Sequence, residues 1–292
     1  MSFTFPRDSI FLIAGPCVLE SEALNLRVGE HLAKLAERVP GGIVYKASFD
    51  KANRSNAGAA RGPGLDEGLA ALDRVRRATG LPLLTDVHLP EQCAPAAEVV
   101  DVLQIPAFLC RQTDLLIAAG ATGKSVNIKK GQWMHPEGMK GAVEKVRGAQ
   151  KQTGKREPGP EAPSSPSSRF PVPSSRSPIA VTERGSFFGY GDLVVDMRGF
   201  ARMRDACKAP VVFDGTHSVQ RPGMGEDGAS GGAREHIAAL TRAAVAAGAD
   251  GLFLETHPDP DHAPSDGPNM LPLSSLDALV SRAVDLWHLC RQ

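Results

Sequence analysis

Eight short apolar runs, separated by longer amphipathic stretches, constrain the fold of this 292-residue chain more than any other feature of its sequence. Apolar runs that alternate with helical segments are typical of a parallel sheet with crossover helices. Eight such units predict a TIM (β/α)8 barrel, which commonly takes about 250 residues. The predicted strands are Phe11–Ala14, Ile43–Lys46, Leu81–Thr85, Val100–Ile105, Ser125–Ile128, Ile179–Thr182, Val211–Phe213 and Gly251–Leu254.

The segment from Lys151 to Pro178 does not fit this alternation. It contains seven Pro and seven Ser, and Ala162, Phe170 and Val172 are its apolar members. A segment of this composition buries too little apolar surface to offset the entropy lost on ordering. The rest of the chain has the size of one barrel, so we expect a single catalytic domain over residues 1–292, with residues 151–178 as a disordered insertion before strand six.

The overall charge and hydropathy exclude several classes of protein. The chain has 33 Lys and Arg residues against 33 Asp and Glu residues, and this balance argues against a general nucleic-acid binder. Its start lacks the charged and apolar regions of a signal peptide, and no apolar run is long enough for a membrane span. We therefore expect a cytoplasmic protein without a membrane partner. Its five scattered cysteines predict reduced thiols.

Cationic side chains follow many of the predicted strands. In a barrel these positions meet at one mouth, at the carboxyl ends of the strands. Each residue taken singly is more often a solvated surface charge, but their shared position predicts a site for two anionic substrates, or for one substrate with several anionic groups. The cations are Lys46, Lys51, Arg54, Lys129, Lys130, Arg184 and Arg111.

A second set of strand-end residues combines a thiol, an imidazole and two carboxylates. It consists of Cys17, His217, Glu255 and Asp266, and strands one and eight become neighbours when a barrel closes. Mixed S, N and O ligands suit a divalent transition metal such as Zn, Fe or Mn. The spacing matches no local zinc motif, so the alternative stays open that Cys17 is a small buried hydrophobe and His217 a hydrogen-bonded side chain.

A series of longer motifs surrounds the predicted strand ends. They are Ala14-Gly15-Pro16-Cys17-Val18-Leu19-Glu20-Ser21, Tyr45-Lys46-Ala47-Ser48-Phe49-Asp50-Lys51-Ala52-Asn53-Arg54-Ser55-Asn56, Arg61-Gly62-Pro63-Gly64, Thr85-Asp86-Val87-His88, Gln104-Ile105-Pro106-Ala107-Phe108-Leu109, Val126-Asn127-Ile128-Lys129-Lys130, Thr182-Glu183-Arg184-Gly185 and Phe213-Asp214-Gly215-Thr216-His217-Ser218-Val219-Gln220. Across nearly the whole chain except residues 151–178, these motifs resemble the 3-deoxy-D-manno-octulosonate 8-phosphate synthase family. The most specific stretch runs from Lys46 to Asn56.

The resemblance implies a TIM-barrel transferase, usually a homotetramer, that condenses phosphoenolpyruvate with arabinose 5-phosphate on the pathway to the lipopolysaccharide inner core. It assigns a role to each site residue. Phosphoenolpyruvate would be held by Lys46, Lys129 and Arg184, with Gln104 and Ser48 nearby. The sugar hydroxyls would contact Lys51 and Asn53, and the sugar phosphate would bind Arg54 and Ser55 of the adjacent subunit. The cavity where the bond forms would be lined by Asp86 and His88.

The resemblance also implies the metal-dependent class of this family. Members that work without metal carry Asn where this chain has Cys17, while Cys17, His217, Glu255 and Asp266 match the ligand positions of the metal-dependent class. Two alternatives stay open at this point. One is the related synthase that uses erythrose 4-phosphate, which typically has a Lys-Pro-Arg-Thr type motif where this chain has Lys51-Ala52-Asn53-Arg54-Ser55. The other is an inactive scaffold disrupted by the insertion.

Overall fold

The computed structural model describes residues 3–53, 58, 60–153, 176–187, 189–224 and 231–291. Within these residues, eight parallel strands form a closed barrel that eight helices surround. The strands β1 to β8 are Phe11–Gly15, Ile43–Lys46, Leu83–Asp86, Val102–Ile105, Ser125–Lys129, Ile179–Glu183, Val211–Asp214 and Gly251–His257. The helices α1 to α8 are Glu22–Ala36, Leu65–Thr79, Pro90–Val99, Thr113–Ala121, Lys140–Gln152, Gly199–Cys207, Ile237–Ala246 and Leu273–Cys290.

The barrel closes through β8, which pairs in parallel with both β1 and β7. In this register Glu255 lies opposite Gly15, and Phe253 lies opposite Asp214. The predicted TIM barrel is therefore confirmed, with all eight strands in place. Several strands continue past their predicted ends into buried polar residues, such as Asp86, Lys129 and Asp214.

The core has two layers that follow the alternation of side chains along each strand. Inward-facing residues such as Phe11, Ile13 and Phe253 fill the barrel interior. Outward-facing residues such as Leu12 and Leu252 pack in the larger cluster that includes the helices. Successive strand residues point to opposite faces, so one short apolar run contributes to both layers.

A small antiparallel ribbon lies at the amino end of the barrel. Phe5 and Pro6 pair with Ser177 and Arg176, and the Phe5 ring lies 5.5 Å from the ring of Phe11. The ribbon corrects the bounds of the predicted insertion, because α5 extends through Gln152 and the second strand begins at Arg176. Residues 154–175 lie outside the described residues.

The ends of this segment join the barrel away from the mouth. Helices that follow parallel strands run back to the amino ends, so α5 finishes on the same side as the start of β6 at Ile179. Arg184 follows the opposite, carboxyl end of β6. The connection before strand six therefore begins and ends on the far side of the barrel from Arg184.

Candidate active site

A chain of hydrogen bonds crosses the barrel interior at the carboxyl ends of the strands. The Thr182 hydroxyl donates to Asn127 Oδ1 (2.7 Å), and Asn127 Nδ2 donates to Gln104 Oε1 (2.8 Å). Gln104 Nε2 in turn donates to Asp86 Oδ1 (2.7 Å), and the Ser48 hydroxyl donates to Oδ2 of the same carboxylate. All five side chains are buried. The chain therefore fixes the Asp86 carboxylate from two directions.

The Lys46 ammonium links this chain to the opposite wall. Its Nζ donates to the Cys17 backbone oxygen (2.9 Å) and to Glu255 Oε1, and lies 3.9 Å from Asp86 Oδ2. Gly15 permits the close approach of β1 to the Lys46 backbone, because a Cβ at Gly15 would lie 2.1 Å from the Lys46 backbone oxygen. Burial by itself would raise the pKa of Asp86, but Lys46 and other lysines bring it well below its usual range. Asp86 is therefore ionised in the site.

Lys129 at the end of β5, Asp214 at the end of β7 and His217 in the turn after β7 form a compact group. Lys129 Nζ donates to Asp214 Oδ2 (2.8 Å) and lies 3.7 Å from the centre of the Phe253 ring. His217 Nδ1 lies 2.8 Å from the same carboxylate oxygen. Burial would raise the pKa of Asp214, but His217 and Lys129 hold it well below its usual range. An ionised Asp214 accepts a hydrogen bond from His217 Nδ1–H, which leaves Nε2 available on the side of Glu255.

Arg184 is a buried cation with unused hydrogen-bonding capacity. Its Nη2 donates to Gln220 Oε1 (2.6 Å), while its buried Nη1 has no partner among the described residues. Burial lowers the pKa of the guanidinium, although an arginine remains charged across the physiological range. A buried guanidinium with a free N–H group is suited to an anionic substrate oxygen.

Three of the four candidate metal ligands lie in one tight cluster. One ligand atom each from Cys17, Glu255 and Asp266 lies within 4.8 Å of the others. Cys17 Sγ donates to Asp266 Oδ2 (3.0 Å). His217 lies beside this cluster, with Nε2 3.7 Å from Glu255 Oε2.

The donor set fits a divalent transition metal. Glu255 is fully buried, yet its Oε2 has no hydrogen-bond partner in the part of the chain that the structure describes. Burial raises the pKa of the Cys17 thiol well above its ordinary value, and Asp266 and Glu255 raise it further. A bound cation would instead lower the pKa of the Cys17 thiol, and it would give Glu255 Oε2 a partner. One thiol, one imidazole and two carboxylates are a suitable set for Zn, Fe or Mn.

Asp266 has a backbone conformation that directs its carboxylate into the cluster. Its φ of 53° is left-handed, a region in which Asp is more common than most residues. Ser265 Oγ donates to Asp266 Oδ2 (3.1 Å), and Gln220 Nε2 donates to Oδ1 (3.0 Å). The loop after β8 thus presents this carboxylate with both oxygens already oriented.

The remaining predicted residues lie around this centre. Lys51 is partly exposed, and although burial would lower its pKa, Cys17, Glu255 and Asp266 raise it. The buried Nδ1 of His88 has no partner among the described residues, and burial lowers the pKa of this imidazole. Asn53 is exposed in a turn. Arg54 and Ser55 lie outside the described residues.

Lys130 does not face the barrel interior as its neighbour Lys129 does. Its Nζ lies 3.4 Å from Glu183 Oε1 and donates to Ser186 Oγ (3.1 Å) and to the Gly185 backbone oxygen (3.3 Å). The expectation that Lys130 converges on the mouth is wrong, because these contacts bury it in the wall. Lys130 instead supports the loop that follows Arg184.

Sequence reasoning missed two residues of the site. Asp214 orients Lys129 and His217, and Gln220 connects Arg184 to Asp266. Both lie in the motif from Phe213 to Gln220 that also contains His217. Their closeness in sequence to His217 was the signal that could have identified them as site residues.

Comparison with known proteins gives consistent matches over nearly the whole chain. The model of the DAHP synthetase I family matches residues 6–289. A 2-dehydro-3-deoxyphosphooctonate aldolase of Rhodopseudomonas palustris (strain BisB5) is 52% identical over 281 residues, which cover 96% of this chain and 89% of that protein. The protein of the same name from Nitrobacter winogradskyi is 52% identical over 282 residues, with the same coverage. That of Bradyrhizobium diazoefficiens is 51% identical over 273 residues, covering 94% of this chain and 88% of the relative.

Proposed function

Because this chain belongs to the DAHP synthetase I family and, within it, to the 2-dehydro-3-deoxyphosphooctonate aldolases, we propose that it condenses phosphoenolpyruvate with D-arabinose 5-phosphate and water. The products are 3-deoxy-D-manno-octulosonate 8-phosphate and phosphate, and the reaction serves lipopolysaccharide inner-core synthesis. The observation that carries this proposal is 52% identity over 96% of the chain to a protein of that name. The enzyme is a transferase that forms a C–C bond by an aldol-type step.

The rival synthase that uses erythrose 4-phosphate is not favoured. The family description is broad enough to include it, but the similar proteins from Rhodopseudomonas, Nitrobacter and Bradyrhizobium share the octulosonate aldolase name. The stretch Lys51-Ala52-Asn53-Arg54-Ser55 also differs from the motif typical of the rival. Both observations support arabinose 5-phosphate as the sugar substrate.

Phosphoenolpyruvate fits the buried cations on the inner wall. Lys46, Lys129 and Arg184 would hold its phosphate and carboxylate, with Ser48 and Gln104 beside them. The free Nη1 of Arg184 supports this assignment because it offers a donor inside the cavity. Lys51 and Asn53 would then face the hydroxyls of the sugar.

The sugar phosphate would bind Arg54 and Ser55 from an adjacent subunit, in a homotetramer. An exposed apolar surface at the mouth supports association of this end of the barrel. The rings of Phe108 and Trp133 stack with centroids 5.9 Å apart, and both side chains are exposed, as is Leu89. Exposed apolar surface of this kind is a common mark of a protein interface.

The chemistry requires two reactants held in attack geometry. C3 of phosphoenolpyruvate attacks the aldehyde carbon, water adds at C2, and the tetrahedral intermediate expels phosphate by C–O cleavage. Fixing both reactants can contribute about 7–11 kcal/mol to the lowering of the barrier. Asp86 and His88 would line the reacting space, and His217, oriented by Asp214, would hold or move a proton at Nε2. A divalent Zn, Fe or Mn ion at Cys17, His217, Glu255 and Asp266 would supply a Lewis acid for the aldehyde or the water.

The described helices include none that is both long and apolar enough to cross a bilayer. We propose that the reaction takes place in the cytoplasm, which the phosphorylated substrates support.

Phosphate release by the purified full chain tests the proposed function. We expect release with phosphoenolpyruvate and arabinose 5-phosphate, and a product with the mass of the eight-carbon phosphate. Erythrose 4-phosphate should give little or none. Preferential use of erythrose 4-phosphate would favour the rival synthase, and no release with either sugar would favour an inactive scaffold.

A further inference from the structure

One glutamine side chain connects the anion-binding arginine to the candidate metal cluster. Gln220 Oε1 accepts from Arg184 Nη2 at 2.6 Å, and Gln220 Nε2 donates to Asp266 Oδ1 at 3.0 Å. An amide has one acceptor end and one donor end, so it can satisfy a guanidinium and a carboxylate together in only one orientation. The residue therefore touches both candidate binding sites at once.

The backbone around Gln220 holds it in this position. Gln220 and Arg221 form a short strand that pairs with Gly232 and Gly231. The neighbouring side chain of Arg221 has a different partner, because its Nε donates to Asp192 Oδ1 (2.6 Å) in the loop after β6. Of these two adjacent residues, Gln220 contacts the site and Arg221 contacts a surface loop.

We propose that Gln220 is a positioning residue that couples phosphoenolpyruvate binding to metal binding, through its hydrogen bonds to Arg184 and Asp266. This inference rests on the proposed function. Gln220 acts through these two residues, so it needs no contact with the substrate or the metal.

The physical reason is shared ordering of three side chains. An anion bound to the free Nη1 of Arg184 fixes the position of the guanidinium, and the guanidinium in turn fixes the Gln220 amide. The amide then holds Asp266 Oδ1, so that Oδ2 faces Cys17. A metal on Asp266 fixes the same three side chains from the other end. Whichever partner binds second meets a site that is already ordered, and this lowers its entropic cost. The coupling is reciprocal, as thermodynamic linkage requires.

Equilibrium binding of Mn²⁺ measures this coupling without reference to turnover. The dissociation constant of Mn²⁺ is determined for the full chain from the free-ion electron paramagnetic resonance signal, with and without saturating phosphoenolpyruvate and without sugar phosphate. Protein-free mixtures correct for Mn²⁺ bound to phosphoenolpyruvate in solution. For the wild type we expect phosphoenolpyruvate to tighten Mn²⁺ binding about fivefold or more.

Two variants distinguish the length of the Gln220 side chain from its amide group. Gln220→Met keeps a long side chain but has no amide, whereas Gln220→Asn keeps the amide on a side chain one methylene shorter. We expect both to reduce the tightening to about twofold or less, since neither can make both hydrogen bonds. Arg221→Gln is the matched control, because it breaks only the contact with Asp192 and should keep the wild-type ratio.

The outcomes distinguish this inference from the proposed function. A wild type that forms the octulosonate phosphate but shows the same tightening in both Gln220 variants overturns the inference alone. Equal loss in Arg221→Gln also overturns it, because the short strand of Gln220 and Arg221 as a whole would then carry the coupling. A wild type that neither binds phosphoenolpyruvate nor forms product overturns the proposed function and the inference together.

Discussion

Asn127 Nδ2 donates to Gln104 Oε1 at 2.8 Å, and this single contact determines which way the buried Gln104 amide faces. With its oxygen taken by Asn127, Gln104 presents Nε2 to Asp86 Oδ1. The Thr182 hydroxyl orients Asn127 in the same manner from the far side. Three polar side chains from β4, β5 and β6 thus determine the position of one carboxylate on β3.

Replacing Asn127 by leucine tests this chain. Asn127→Leu leaves Gln104 Oε1 and the Thr182 hydroxyl buried without their partner, and we expect the free energy of unfolding to fall by about 1–3 kcal/mol. Turnover should also fall, because Gln104 no longer holds Asp86. Urea unfolding and steady-state rates measure the two effects.

Gln150→Leu serves as the control for the Asn127 variant. Gln150 is a buried amide outside the barrel, and its Nε2 donates to the Lys124 backbone oxygen (3.1 Å). Its loss should cost about 0.5–1.5 kcal/mol of stability and leave turnover unchanged. Equal losses of turnover in the two variants would contradict a role for the chain in orienting Asp86.

The barrel could be predicted because its apolar runs are local, but the ends of its strands could not. Asp214 continues β7 as a polar residue that is completely buried, and its partners Lys129 and His217 come from two different elements. An apolar run gives no sign that the strand continues into such a residue. Lys129 and Lys130 show the same limit, since two adjacent lysines at a strand end differ only in which side of the wall they face.

Contacts over long sequence distances also could not be predicted. Gln220 and Asp266 are 46 positions apart, and no periodicity in the sequence relates them. The four candidate ligands were recognised by residue type and by resemblance. Their approach to one another depends on the closure of β8 against β1.

The two substrates should respond separately to changes in their assigned subsites. Arg184→Lys keeps the charge but loses the forked geometry, and we expect the KM for phosphoenolpyruvate to rise about tenfold or more, with little change in the KM for arabinose 5-phosphate. Arg54→Ala should show the opposite pattern. Measuring both KM values for both variants checks this, and equal effects on both substrates would show that the subsites are wrongly assigned.

Metal removal should abolish turnover. Exhaustive chelation would take away the proposed Lewis acid, and added Mn²⁺, Fe²⁺, Co²⁺ or Zn²⁺ should restore activity to differing extents. Because burial raises the pKa of the Cys17 thiol, metal binding near neutral pH should release about one proton, measured by calorimetry in buffers of different ionisation enthalpy.

Cys17→Ser should weaken metal binding and reduce this proton release, whereas Cys290→Ser removes an exposed thiol and should change neither. Elemental analysis accompanies each activity measurement. Full activity in a preparation that contains no metal would refute the ligand assignment.

Acid should remove a stabilising contact between the connection after β5 and helix α6. Hydrogen bonds from Arg202 are the main cause that lowers the pKa of Glu137 to about 2. Because the folded pKa lies below the unfolded value, the contribution of this contact is complete above about pH 4.5 and is lost as the pH falls towards 2. We expect the urea midpoint of wild type to exceed that of Glu137→Gln at neutral pH, and the difference to shrink below about pH 4.5.

Arg202→Gln removes the other partner of this contact. Like Glu137→Gln, it should lower the urea midpoint relative to wild type at neutral pH, by an amount that shrinks below about pH 4.5. Urea midpoints of all three proteins between neutral pH and about pH 3 provide the comparison. Curves that stay parallel over this range would show that Arg202 does not perturb the Glu137 carboxyl.

Residues 154–175 should be dispensable for catalysis, because their attachment points lie at the amino end of the barrel, opposite the candidate active site. Replacing them by a short Gly/Ser turn should leave kcat and both KM values within about twofold of wild type, since loop-closure entropy changes by only about 1 kcal/mol for such a shortening. A Gly/Ser replacement of the original length separates the effect of length from that of the side chains. If both proteins keep the wild-type unfolding temperature but lose activity, the segment has a catalytic role that its attachment points do not reveal.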